Sequence, residues 1–139
     1  MKYLTKITIV LGIALAMCSC KQKTENQGTT KQPTLTTLSV EDFEKRIADK
    51  ENTVLVDVRT PKEFSEGHIA GAMNIDVKED KFRSECVKQL PKDKTILVYC
   101  RSGFRSQSAG HILNEEGFDA IDLKGGFNAW KDAGKEYAK

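Results

Sequence analysis

Net charge is nearly absent from this sequence. Its 139 residues hold 22 Lys and Arg against 20 Asp and Glu. The excess is Lys2 and Lys6 alone, so from residue 20 onward the remaining 20 basic residues face 20 acidic ones. That balance gives no electrostatic footprint for a nucleic acid, and no such partner is expected. A long apolar run is missing as well. Residues 7–17 are apolar, but a bilayer-spanning helix takes about 20 such residues. No internal repeat is present. With 39% hydrophobic residues, a chain of this length suits one globular domain and a short appendage.

The appendage lies at the N-terminus. A lysine-bearing start, the short apolar run and small residues at its end have the layout of a secretory signal. Cys18-Ser19-Cys20 closes the run, and the polar segment KQKTENQGTTKQPT follows at once. With cysteine at that place the segment resembles a bacterial lipoprotein signal, in which the lipidated cysteine becomes the mature N-terminus. Cys20, preceded by the small Ser19, is favoured over Cys18, which follows Met17. Ordinary secretion with two incidental cysteines is the alternative. The expected organisation is a signal over residues 1–19, a disordered tether over 20–36 and a folded domain over 37–139. An exported protein follows, held on a membrane by acyl chains and facing the periplasm or the outer surface.

Within the domain, apolar periods of two and of 3.6 alternate. Ser39 followed by Glu41 and Asp42 resembles a helix start, with Phe43, Ile47 and Ala48 on one face. Residues 53–58 form a continuous β-branched run, as a buried parallel strand does. Pro61 opens a short helix, residues 73–75 read as a strand and residues 78–90 as a helix. A second buried strand covers 95–99, a helix 105–116, a third strand 118–123, and a last helix follows Gly125-Gly126. Strands alternating with helices imply an α/β fold with a mainly parallel sheet.

The sequence VYCRSGFRS, residues 98–106, runs from a strand into Cys100 and then into two arginines, a glycine and two serines. Reactive groups in parallel sheets gather beyond the carboxyl ends of strands. A tight loop there, at the start of a helix, turns successive N–H groups inward and makes an anion-binding nest. Arg101 and Arg105 add positive charge, Gly103 allows positive φ, and Ser102 and Ser106 donate hydrogen bonds. These flanks favour a thiolate and suit nucleophilic cysteine chemistry on an anion. An inert buried thiol is the bland reading.

Three separated segments resemble the rhodanese family. They are DVRTPKEF with GHIAGAMNI over residues 57–75, the loop from Cys100 to Arg105, and LKGGFNAW over residues 123–130. The resemblance implies a three-layer rhodanese-like fold, with helices on both faces of the sheet, and a sulfurtransferase. Cys100 would take the outer sulfur of a small anionic donor such as thiosulfate and pass it to cyanide, a thiol or an acceptor protein. Arg101, Ser102, Gly103, Phe104 and Arg105 would bind the substrate through the loop amides. No metal and no organic cofactor is implied, and the domain is expected as a monomer.

Two other functions remain in view. One is a non-catalytic or sulfur-accepting binding module. The other is a cysteine-dependent phosphatase or arsenate reductase of the same fold; those use a loop with five residues between cysteine and arginine, where this chain has four. Asp57, Arg59 and Glu63 read as a polar network bracing the site. Phe104 either lines the mouth of the pocket or packs beneath the loop. Cys86 reads as core on a helix face, with a disulfide to Cys100 as the alternative. His68 is expected to hydrogen-bond its own turn.

Overall fold

The computed structural model describes residues 34–139. The expected signal, Cys18, Cys20 and most of the tether lie outside the described residues. The elements are β1 (Thr36–Leu38), α1 (Val40–Ala48), β2 (Thr53–Asp57), α2 (Pro61–Glu66), β3 (Met73–Asn74), α3 (Phe82–Gln89), β4 (Thr95–Tyr99), α4 (Phe104–Glu115), β5 (Asp119–Leu123) and α5 (Gly126–Asp132). All five strands join one parallel sheet in the order β1-β5-β4-β2-β3. Among the described residues no helix is long and apolar enough to cross a membrane.

Alternation along the buried strands sorts their side chains onto two faces. Val56, Ile96, Val98 and Ala120 face Phe82 and Cys86 of α3 and Ala109 and Leu113 of α4. Leu55, Leu97, Tyr99 and Leu123 face Phe43 of α1 and Phe127 and Trp130 of α5. The molecule therefore has the expected three layers. Both faces are covered, which is why β2 and β4 read as continuous apolar runs.

Local signals place the helices. Ser39 Oγ accepts the Asp42 N–H at 3.2 Å and caps α1. Thr60 caps α2 in a reciprocal box with Glu63, and Pro61 fills the first helical position. Besides one-residue shifts at other element ends, two boundaries differ from expectation. The tether was expected to run through residue 36, yet Thr36 already lies in β1, in register with Ile121 of β5, and Leu35 packs on the α3/α4 core. β1 is a three-residue edge strand with two exposed threonines, so it carries almost no hydrophobic pattern; backbone pairing makes it. Helix α3 begins at Phe82, not at 78, because the Asp76 side chain accepts the Lys78 N–H at 2.9 Å and turns the chain first.

Candidate active site

Cys100 follows the last residue of β4, at the carboxyl edge of the sheet, with β5 and β2 on either side of that strand. It is 1% exposed. Two contacts fix it. Its Sγ accepts the Gly103 N–H at 3.1 Å, and its carbonyl accepts the Phe127 N–H at 2.8 Å. The next carbonyl, that of Arg101, accepts the Asn128 N–H at 3.0 Å. The first turn of α5 thus holds the loop from behind by its backbone.

Gly103 is the residue before α4 and has φ of 98°, in the left-handed region that glycine enters without strain. This turn points the chain into the helix and aims its own N–H at the sulfur. Among the described residues, the N–H groups of Arg101, Ser102, Phe104 and Arg105 find no protein acceptor. Together with the positive end of α4 they leave a cradle of free donors in the loop that carries the buried sulfur. Ser106, fully buried, donates from Oγ to the Gly103 carbonyl at 3.2 Å and pins the turn.

The two loop arginines behave differently. Arg105 is tied to Glu63 by two bonds of 2.8 and 2.7 Å, and this pairing holds the Glu63 carboxyl down at about 2. Its charge is shared with that partner and not given wholly to the cradle. Arg101 is exposed, and its guanidinium makes no hydrogen bond among the described residues. It borders a cleft of about 310 Å³ beside the loop, together with Arg59, Glu63, Gly67, Phe127 and Asn128. Phe104 is 81% exposed, so it does not pack beneath the loop, and it is not among the residues that line this cleft.

The bracing residues form two units where one network was expected. Asp57, fully buried, accepts from the Arg59 N–H, Nε and Nη2 at 2.5 to 3.0 Å. Arg59 Nη2 also donates to the Gly67 carbonyl at 2.7 Å, and its guanidinium lies 4.4 Å from the Phe127 ring centroid. Asn74 spans the Asp57 and Arg59 carbonyls from its Nδ2 at 2.9 and 2.8 Å. With its carboxylate filled by Arg59, Asp57 braces the β2 end. Glu63 belongs instead with Thr60 and Arg105. His68 Nδ1 sits 3.0 Å from the Phe64 carbonyl and the ring stacks on Phe64, the turn role expected of it.

Cys86 and Cys100 are both free and buried. Burial pushes the Cys86 thiol up to about 12, with Glu85 adding to it, so Cys86 is a packing residue. Sequence reasoning missed the contribution of Gly125 and Gly126 to the cradle. Their motif was visible, but the approach of Gly126 to residues 100 and 101 and of Gly125 to Gly103 exists only in the fold.

Known proteins share this arrangement. A family model for the rhodanese-like domain matches residues 39–133. A protein of Allochromatium vinosum named sulfurtransferase is 37% identical over 91 residues, which is 65% of this chain and 82% of that one. The thiosulfate sulfurtransferase GlpE of Shewanella oneidensis is 34% identical over 89 residues, 63% of this chain and 85% of its own. Among solved structures, a rhodanese-related protein from Thermoplasma volcanium superposes with a TM-score of 0.65 at 30% identity, covering 74% of this chain and 97% of that one. A parallel sheet with helices on both faces, a cysteine cradle at its carboxyl edge and a family match over most of the chain agree: this protein belongs to the rhodanese-like domain family.

Proposed function

We propose that the protein is a sulfurtransferase that carries a sulfane sulfur on Cys100. The Cys100 thiolate attacks the outer sulfur of an anionic donor such as thiosulfate. A new S–S bond forms, the donor's own S–S bond breaks, and its electron pair leaves with sulfite. An acceptor nucleophile then attacks the outer persulfide sulfur, and the thiolate returns to Cys100 as that bond breaks. Two half-reactions on one covalent intermediate predict ping-pong kinetics.

The observation that carries this reading is a buried Cys100 Sγ held by the Gly103 N–H, in a loop whose other amides, among the described residues, have no protein acceptor. Such preorganised donors stabilise charge on a terminal sulfur as an oxyanion hole does on oxygen. The neighbouring cleft, edged by Arg101, offers room for the donor's anionic end. The printed names of the relatives, sulfurtransferase and thiosulfate sulfurtransferase, support the same chemistry. For the N-terminus, the proposal is export and lipid anchoring through Cys20, which mass analysis of the mature terminus would test.

The test uses the full chain with Cys100→Ser as control. Reduced protein is exposed to thiosulfate, the Cys100 peptide is weighed, and cyanide is added. One added sulfur on that peptide, discharged as thiocyanate and missing in the control, is the expected result. No added sulfur, or thiocyanate formed equally by Cys100→Ser, overturns the proposal.

A further inference from the structure

One buried ionisable group is left without a task by this mechanism. Asp122 in β5 is fully buried, and among the described residues neither carboxyl oxygen has a hydrogen-bond partner of ordinary geometry. It lies in register with Val98 of β4 and Thr37 of β1. By alternation it shares the sheet face of Ala120, Val98 and Cys100, under the start of α4. Burial pushes its carboxyl up to about 6, an effect that the nearby Ser106 hydroxyl and Leu123 N–H only partly offset. Ser106 does not satisfy it because that hydroxyl is given to the Gly103 carbonyl, and Gly103 is the residue whose N–H holds Sγ.

We propose that Asp122 is a positioning residue for the cysteine cradle: while neutral it leaves Ser106 on the Gly103 carbonyl, and on ionising it draws Ser106 away and adds a negative charge on the sheet face of Cys100. An ionised carboxylate in a dry site needs donors, and Ser106 can serve it only by releasing the loop. The second charge also opposes a thiolate or persulfide nearby.

The described residues leave Asp122 without a competing charged partner. Strand β1 contributes only Thr36, Thr37 and Leu38. Tyr99 at the end of β4 points to the opposite face, which leaves Cys100 as the ionisable neighbour from that strand. On α4, Arg105 is tied to Glu63, Glu115 is tied to Arg83, and His111 is exposed. Asp119, on Asp122's own strand, accepts from Thr95 Oγ1.

This inference rests on Cys100 being the reactive thiol of the proposed reaction, but its test needs no sulfur donor. Iodoacetamide alkylation of the full chain, read at the Cys100 peptide, is followed from about pH 5 to about pH 8 in wild type and Asp122→Asn. The two rates should be nearly equal at about pH 5, and the variant should become about tenfold faster by about pH 7, where only about a tenth of wild-type Asp122 is neutral. On a Ser106→Ala background the same exchange should produce a smaller ratio. A carboxyl carbon NMR titration of the wild type, which needs no variant, should show Asp122 titrating near 6. A ratio constant across pH, or a carboxyl that titrates in the ordinary aspartate range, overturns the proposal. If the alkylation behaves as expected while thiocyanate formation fails, the sulfur-transfer reading falls and the role of Asp122 stands.

Discussion

Replacing Gly126 by alanine tests whether α5 truly holds the cysteine loop. Gly126 has φ of 61°, and a Cβ there would lie 2.5 Å from the Cys100 carbonyl oxygen and 2.9 Å from the Arg101 carbonyl carbon and oxygen. These are backbone atoms, so no side chain can swing aside. A non-glycine residue at positive φ costs about 1–2 kcal/mol. Pushing the loop away also breaks the bonds from the Phe127 and Asn128 N–H groups, about 1 kcal/mol each. The sum is about 3–4 kcal/mol, a large share of the stability of a small domain.

In urea the midpoint should fall by about 1–4 M at an unchanged slope. Sulfur transfer should fall by about a hundredfold or more, since a displacement of the reacting group by about 1 Å costs that much. Gly134→Ala is the control. That glycine also has positive φ, 70°, but its Cβ would meet nothing within 4 Å. It should lose about 1–2 kcal/mol from backbone strain and no activity. Equal midpoints and equal activities for the two variants would refute the idea that α5 supports the cradle.

Other substitutions probe the ion pair and the exposed loop phenylalanine. Glu63→Gln removes the partner of Arg105; after allowance for partial exposure, about 1–2 kcal/mol should be lost at pH 7. Because the Glu63 carboxyl is held low, at about 2, its contribution is complete above about 4.5 and fades as pH falls toward 2. Thermal melts of variant and wild type should therefore converge in acid, and a gap that persists at about pH 2 would contradict this. Phe104→Ala, at an exposed position, should change stability by less than about 0.5 kcal/mol. It should raise KM for bulky thiol acceptors while leaving KM for cyanide unchanged; equal effects on both acceptors would remove Phe104 from acceptor choice.

Much of the site was legible because its code is local. A strand followed by Cys100, Gly103 and a helix start specifies where the sulfur lies and which amides surround it. Pro61 and Ser39 marked helix starts for equally local reasons. The pairing of Glu63 with Arg105, 42 residues apart, was not legible, since one carboxylate among Asp57, Glu63 and Glu66 cannot be matched to one arginine without the fold. The same holds for Asp57, which Arg59 takes wholly for itself. Strand β1 escaped detection because its two exposed threonines carry no alternation and its stability comes from β5. Asp122 received no role from the sequence, because its burial comes from α4 and the neighbouring strands.

The position of β5 ties the reactivity of Cys100 to the completion of folding. This strand slots between β1 and β4, so it pairs residues 36–38 with residues 121–123 across most of the domain. Such distant closures form late in the ordering of a chain. Gly126, Phe127 and Asn128, which press on and hold the cysteine loop, directly follow that strand. In a chain where β5 has not yet paired, the cysteine loop lacks the backbone bonds from Phe127 and Asn128. On the chemistry proposed above, sulfur loading is then a property of the finished fold.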